Sequence, residues 1–555
     1  MVTSAHPDAR RRFVLGSAGA LALGTAAAVT GCGGGGNEEA QQRFGYGVAS
    51  GDPLSDRVIL WTRVNNPGEN PTTVQWEMAS DAAFTRILRS GAAVTGSVQD
   101  FTVKVDVTGL SPATAYYYRF RHGLEMSVTG RTKTLPVGNA TRVVMGAFSC
   151  AAFPLGQFHV YAAAADRGDL DVALLLGDYI YENGLTDGEQ IAATLLGRKM
   201  DPKGELHLLS EYRARYAQYH SDADLRAFHA AVPVIAVWDD HEIANDTWRD
   251  GAGGHDPATE GSFAARRAAA VQAFHEWLPT RTSTLTDLQT IYRSFDFGNL
   301  LSLHMLDTRV IGRDAPLGRD AHLSGAAADP QRQLLGAIQQ DWLAARMQAS
   351  TATWQVLGQQ VLFGRMKVPL SVYDNFTEDS LNEYQQAVDT PEATRTERQR
   401  ALVTQPFIAH DLNTWDGFEA ARENVLNAAR TLDKNLVVLS GDSHNAWANN
   451  LRDASGAVVG VEFSTPSVTS TGLEVVHLKI PRQILADSFV RMVPDLQYAE
   501  TTSRGYLVLT VTPEAVRGEW VFVSSVLQNS FSKSASPAFK TLPGAGNRTL
   551  LNAPL

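Results

Sequence analysis

Three apolar runs in this chain end on clusters of acidic and histidine side chains. LLLGDYIYE closes on Asp178, Tyr181 and Glu182, VWDDHE on Asp239, Asp240, His241 and Glu242, and LSGDSHNAW on Asp442 and His444. An apolar strand tipped with carboxylates and imidazoles is costly to bury unless those groups face a ligand or an ion, because anions sharing a cleft repel one another and take up protons. Three such tips call for cations nearby, and metal ions supply that charge directly. The chain must therefore fold so that several strand ends meet at one place.

The surrounding grammar says how. From about residue 139 to 526, strand-like runs (TRVVMGAFSC, LDVALLLGDYIY, VPVIAVWDDHE, LLSLHMLDTR, TWQVLGQQVLF, NLVVLSGDSH) are separated by helical stretches such as LSEYRARYAQYHSDADLRAFHAA and EGSFAARRAAAVQAFHEWL. That alternation predicts a layered α/β domain with a largely buried sheet. In open α/β sheets, ligands bind at the carboxyl ends of the strands, where the polar residues cluster here. GVEFSTPSVTS and GYLVLTVTPEAVRGEWVFV read as further strands of the same domain. Upstream, over 43–138, RVILWTRV, TVQWEMAS, FTVKVDVTGL and AYYYRFRHG are short, alternating and divided by turn residues, which predicts a small β-sandwich. VTGLSPATAYYYRF resembles the tyrosine-bearing corner of fibronectin type III domains, so Tyr116 to Tyr118 read as core and corner residues. The tail, 527–555, is rich in Ser, Pro, Gly and Asn and reads as a loop, a docked extension, which could serve as a lid, or a partly disordered segment.

Of the 555 residues, 44% are hydrophobic and 19% charged, the composition of a globular chain of two to four domains. The formal net charge is -11 with no long Lys/Arg run, which argues against a nucleic-acid surface. Residues 1–32 carry Arg10, Arg11 and Arg12, then Phe13, an Ala/Gly stretch and VTGC ending at Cys32. This looks like a twin-arginine export signal joined to a lipobox, with 33–42 as a Gly-rich tether; the alternative is a signal peptide with an incidental cysteine. The expected partners are the twin-arginine machinery and, through Cys32, a lipid anchor. The expected location is periplasmic or at the cell surface, or secreted if Cys32 carries no lipid. No later run is long and apolar enough to suggest a transmembrane helix. With Cys32 lipidated or removed, Cys150 has no disulfide partner, and is either buried and inert or held as a ligand.

The order G-D-x-x-Y, then x-D-H-E, then G-D-x-H resembles the motifs of binuclear metallophosphoesterases. With FSC upstream, MLDTR and VEFSTPS further on, and GVASGDP and VILWTR near the start, the set resembles the alkaline phosphatase D (PhoD-like) family across almost all of the mature chain. The resemblance implies a calcineurin-like αββα metallophosphoesterase domain preceded by a small fibronectin-type-III-like β-sandwich. It implies an alkaline phosphatase or phosphodiesterase holding a ferric iron and one or two calcium ions, with a hydroxide or oxide placed for in-line attack at phosphorus.

On matching positions, Cys150, Asp178, Tyr181 and His444 fall where the family has its iron ligands. Asp240 and Asp442 fall at a second site whose oxygen donors suit calcium. His241 matches the histidine that faces the phosphate and stabilises charge or protonates the leaving group, Asn245 completes the second site or touches substrate, and Asp239, Glu242 and Asp307 orient the ligands. Arg309 either clamps phosphate or pairs with Asp307. The D-x-H opening of simpler metallophosphoesterases is missing, since Ala151 and Ala152 follow Cys150, and VLGQQ replaces the V-x-x-H of purple acid phosphatases. His304 reads as a core histidine. Two alternatives stay open: a purple acid phosphatase-like enzyme with two transition metals, and a non-catalytic phosphate- or phospholipid-binding lipoprotein. Diester and monoester substrates are both compatible with the motifs.

Overall fold

The computed structural model describes residues 42–65, 67–282 and 289–553. The expected signal and lipobox, and the tether up to residue 41, lie outside the described residues.

Among the described residues the main chain builds an eleven-stranded and a seven-stranded sheet. Val143–Phe148, Val172–Leu176 and Val234–Val237 form the parallel centre of the first, and every residue in them is buried. Leu301–Met305, Trp354–Gly358, Asn435–Ser440 and Val458–Ser464 form the parallel centre of the second. Runs that are apolar on both faces suit strands covered on both sides. Val144, Leu174 and Ile235 from one sheet share a core with Leu303, Val356, Val437 and Val461 from the other, so the two sheets pack face to face. Leu209–His220, Ala223–Ala231 and Phe263–Trp277 bury Tyr212, Tyr216, Phe228 and Phe274 in the same core. Ala337–Ala349 and Glu419–Thr431 pack Leu343, Met347, Val425 and Leu426 against Leu357 and Val438 on the outer face of the second sheet. The layers are helix, sheet, sheet, helix, as in the calcineurin-like αββα fold.

The fibronectin-type-III-like sandwich does not stand apart from this sheet. Val48–Gly51 runs parallel to Val234–Val237 and pairs on its other side with Arg57–Arg63, which pairs with Thr102–Thr108. These strands are one layer of the sandwich and also the edge of the eleven-stranded sheet. Val58 and Leu60 face the small core with Val74, Met78, Tyr116, Tyr118 and Phe120, whereas Trp61 faces the large one. The junction needs a glycine, because a Cβ on Gly51 would lie 2.6 Å from the Pro279 carbonyl oxygen and 2.7 Å from that of Val234. The Tyr116 hydroxyl accepts from the Ser111 amide at 2.8 Å, which closes the tyrosine corner.

Of the readings open for the tail, the docked extension is the one its strand pairing matches. Lys533–Ala535 and Phe539–Thr541 pair with Val516–Val523, and Leu551–Asn552 pairs with Phe539–Thr541. Arg548 then holds Asp433 and Asn435, at the opposite end of the Asn435–Ser440 strand from Asp442. Backbone pairing thus commits 533–552 to the sheet edge. The turn 524–532 stays at the tip end, where the Val526 carbonyl accepts from the Gln157 amide at 2.7 Å.

Behind the strand tips, the Tyr179 hydroxyl lies 2.9 Å from His220 Nε2 and 2.8 Å from His229 Nε2, and the two imidazoles stack at 5.3 Å. Burial pushes the His220 pKa well down and that of His229 down to about 3. The unfolded chain, with histidines near 6.5, binds more protons than the folded one, so this contribution is complete above pH ~6.5 and is lost as pH falls. We predict that urea midpoints measured from pH 6.5 to 5 show a loss of up to about 1.4 kcal/mol per pH unit from each ring. A H220Q/H229Q double variant should start less stable and show a flatter slope.

Candidate metal centre

The expected site residues follow strand ends on both sheets. Cys150 lies two residues beyond Val143–Phe148, Asp178 two beyond Val172–Leu176, Asp239 to His241 just beyond Val234–Val237, and Asp442 two beyond Asn435–Ser440. The chain turns sharply at these points. Cys150 (φ 61°), Asp178 (φ 52°), Asp442 (φ 54°) and His444 (φ 61°) all occupy the left-handed region. Such backbone costs on the order of 1–3 kcal/mol per residue and persists only where its surroundings over-determine it. Here they do: the Ala151 amide donates to the Asp178 carbonyl at 2.9 Å, and the Thr469 and Ser470 amides donate to that of Cys150 at 3.3 and 3.2 Å. A Cβ on Gly177 would meet Asp239 Cβ at 2.3 Å, so that tip approaches its neighbour only as glycine.

The tips converge on Asp178. Donor atoms of Cys150, Asp178 and His444 lie within 4.8 Å of one another, as do those of Asp178, Asp240 and His241, and those of Asp178, Asp239, Asp240 and Asp442. The Tyr181 hydroxyl donates to Asp178 Oδ2 at 3.1 Å and lies 3.3 Å from His444 Nε2. All six residues expected to hold metal are therefore gathered here. One side of Asp178 presents thiol, phenol and imidazole, and the other presents carboxylates.

The donors fit cations. Asp178 Oδ1 and Asp239 Oδ2 are buried with no hydrogen-bond partner among the described residues. Burial, then the neighbouring carboxylates, push the Asp178 carboxyl well above its ordinary range despite the opposing effect of His241. Burial and Asp178 hold the Cys150 thiol and Tyr181 phenol well up. A bound cation reverses each of these effects.

Around the donors is a shell of fixed hydrogen bonds. Glu242 accepts from the amides of Asp178 (3.0 Å), Tyr179 (2.5 Å) and Asp239 (2.7 Å), tying two strand tips together. His241 places Nδ1 2.7 Å from Glu182 Oε2, and the other Glu182 oxygen accepts from the Asn245 amide at 2.7 Å. Burial opposes charge on His241, but Glu182, Asp178 and Asp240 outweigh it and raise its pKa well above 6.5. Asp240 Oδ2 accepts from the Asp246 amide at 2.6 Å, while His444 Nδ1 donates to the Thr471 carbonyl at 2.6 Å, leaving Nε2 for the centre.

Two expectations need correction. The Arg309 side chain is fully buried and so offers no surface to a substrate phosphate. Nor is its guanidinium paired with Asp307: Nε donates to Asp239, and Nη2 lies 3.0 Å from Asp442 Oδ1 and 3.4 Å from Asp240 Oδ1. Asp307 instead accepts the amides of Arg309 and Val310 at 2.8 Å each and braces its own turn. The Asn245 side chain donates to Asp246 at 2.9 Å. His304, between Ser294 and Gln355, is a core histidine.

Sequence reasoning left Glu182 without a role, although it stands in the same tip as Asp178. It assigned nothing to Gln360, whose side chain donates to the carbonyls of Trp238 (2.7 Å) and Leu306 (3.0 Å) and so joins tips from both sheets. The doubled glutamine of VLGQQ, at the end of a buried strand, was the available signal. Ser470, which donates to the Tyr181 hydroxyl at 2.7 Å, was hidden in a run of small polar residues.

Comparison with known proteins finds likenesses over most of the chain. Residues 144–520 match the PhoD-like phosphatase family, and residues 27–136 match the PhoD-like phosphatase N-terminal domain. Alkaline phosphatase D of Bacillus subtilis (strain 168) is 35% identical over 515 residues, covering 89% of this chain and 80% of that protein. A solved structure of PhoD is 32% identical, covers 92% of each chain and superposes with a TM-score of 0.75.

Glu242 makes the shell testable without any metal. We predict that Glu242→Ala, which strands three buried amides, lowers stability by roughly 1–3 kcal/mol for each one. Glu242→Gln keeps one acceptor oxygen and should lose less, read from urea midpoints of metal-free protein.

Proposed function

We propose, on the premise that this chain belongs to the PhoD-like phosphatase family and is a phosphoric ester hydrolase, that it is an exported enzyme using a ferric iron and one or two calcium ions. The observation that carries this reading is the asymmetry about Asp178. Cys150, Tyr181 and His444 would hold iron with it, since thiolate and phenolate suit a high-valent ion, and Asp240 and Asp442 would hold calcium. When bound, the ions supply Lewis acidity at the phosphoryl oxygens and activate the water-derived nucleophile.

The chain's own residues do the rest. Glu182 fixes the His241 ring through Nδ1, which leaves Nε2 to give a proton to the departing ester oxygen. The Glu182 contact also favours the protonated ring. Thr471 fixes His444, Ser470 fixes the Tyr181 hydroxyl, and Glu242 fixes the Asp178 and Asp239 tips, so the donors are positioned by backbone and side-chain bonds.

Export by the twin-arginine route and a lipid at Cys32 are proposed from Arg10 to Arg12 and VTGC. We also take 43–138 and 139–526 as the two folded units, joined through their shared sheet, with 527–555 as the tail.

Metal analysis paired with rates on a bis-aryl and a mono-aryl phosphate tests the function and sorts diester from monoester preference. Iron with calcium-dependent turnover supports this reading; turnover insensitive to calcium chelation supports two transition metals; iron-loaded protein with no turnover on either ester would falsify the enzyme reading. Cys150→Ala is expected to lose iron and activity together. His241→Ala should keep its metals and lose about 10²- to 10⁴-fold in kcat.

A further inference from the structure

The four carboxylates of Asp178, Asp239, Asp240 and Asp442 have oxygens within 4.8 Å of one another, and burial removes the water that would screen them. One guanidinium reaches three of the four. Arg309 comes from the turn after Leu301–Met305, on the seven-stranded sheet, and its partners Asp239 and Asp240 stand at the tip of the eleven-stranded sheet. Its third carboxylate, Asp442, follows Asn435–Ser440. Its remaining nitrogen, Nη1, donates to Asn413 Oδ1 at 3.2 Å, and its own amide is held by Asp307. Asp178, the fourth carboxylate, instead has a His241 ring nitrogen within 4.8 Å, and Arg313 lies behind Arg309, bonded to Asn413.

We propose that Arg309 is a positioning residue, an internal counter-cation that holds the carboxylate tips of both sheets together in the metal-free chain. The site is then assembled before any ion arrives, and ions add to its stability without creating it. Asp442, whose backbone is in the left-handed region, is aimed by this contact. The planar fork matters as well as the charge, because carboxylates on three sides are met by different nitrogens.

This inference rests on the metal reading above, and the test separates the two. Thermal midpoints are measured for wild type, R309M, R309K and R422M, each stripped with chelators and each in millimolar calcium. Arg422 is the control, since it is also buried but bonds the Phe363 and Arg452 carbonyls, away from the cluster. R309M is expected to lose on the order of 5–10 °C when metal-free and less than half of that in calcium, so that the calcium-induced shift at least doubles. R309K should fall between R309M and wild type when metal-free. R422M should lose the same amount in both conditions and keep the wild-type calcium shift. A calcium shift in R309M no larger than in wild type overturns the proposal. If calcium moves no midpoint even in wild type, the calcium assignment fails by itself and the metal-free series decides: R309K no more stable than R309M overturns the counter-cation.

Discussion

The structure depends on the mutual repulsion of buried carboxylates at the strand tips. Asp178, Asp239, Asp240 and Asp442 are each at most 6% exposed and share a space of a few ångströms. Left alone, such a group would protonate or push the tips apart. The surrounding shell opposes this directly. Glu242 anchors two tips through three amides, Gln360 joins a third, and Arg309 spans the two sheets. The left-handed backbone at Cys150, Asp178, Asp442 and His444 stores strain on the same side of the balance. The large apolar core between the sheets holds these tips in place, which explains why the αββα layers and the site cannot be discussed separately.

Much of this was legible because it is local. An apolar run ending in Asp and His can be read from a handful of neighbouring residues, and the resemblance to the PhoD-like family then assigned metal roles to six positions at or beside strand ends, Cys150 among them. Tyr116 in its corner and His304 in its core were readable for the same reason. The long-range partnerships were not readable. Nothing near Val48–Gly51 says that it will pair with Val234–Val237, about 185 residues away, since pairing leaves no mark beyond alternation, which two different neighbours satisfy equally. The tail stayed open between loop, docked extension and partial disorder for the same reason, because short polar strands resemble loops until an edge is offered to them. Arg309 was misassigned for a related reason: D-x-R spacing suggests a local ion pair, whereas the side chain is long enough to reach carboxylates 70 and 133 positions away.

The sandwich gains a physical role from its shared sheet. An exposed parallel edge at Val234–Val237 would leave backbone donors and acceptors without partners beside the strand that carries Asp239 to His241. Gly51 and the Asp52 amide pair with Val234 at the start of that edge and the Arg293 side chain donates to the Ala236 carbonyl at 2.9 Å, while Trp61, on Arg57–Arg63, packs against Trp277 and His220 with its indole donating to the Glu276 carbonyl at 2.8 Å. The N-terminal unit thus forms part of the wall behind the centre. Loss of its packing would reach the tips through Tyr179, which sits between His220 and Asp178.

Two histidine environments in one molecule show how the fold assigns charge. His220 and His229 are buried against a neutral tyrosine hydroxyl, and desolvation with no compensating anion leaves them uncharged. His241 is buried too, yet Glu182 at 2.7 Å and the carboxylates beyond it more than offset the desolvation. The difference lies in the partner rather than the depth. Cations bound at Asp178 and Asp240 would weaken the pull from those two carboxylates but leave Glu182 intact, because Glu182 stands on the other ring nitrogen. Part of what favours the protonated ring, and what fixes its orientation, therefore comes from a group outside the proposed ligand set.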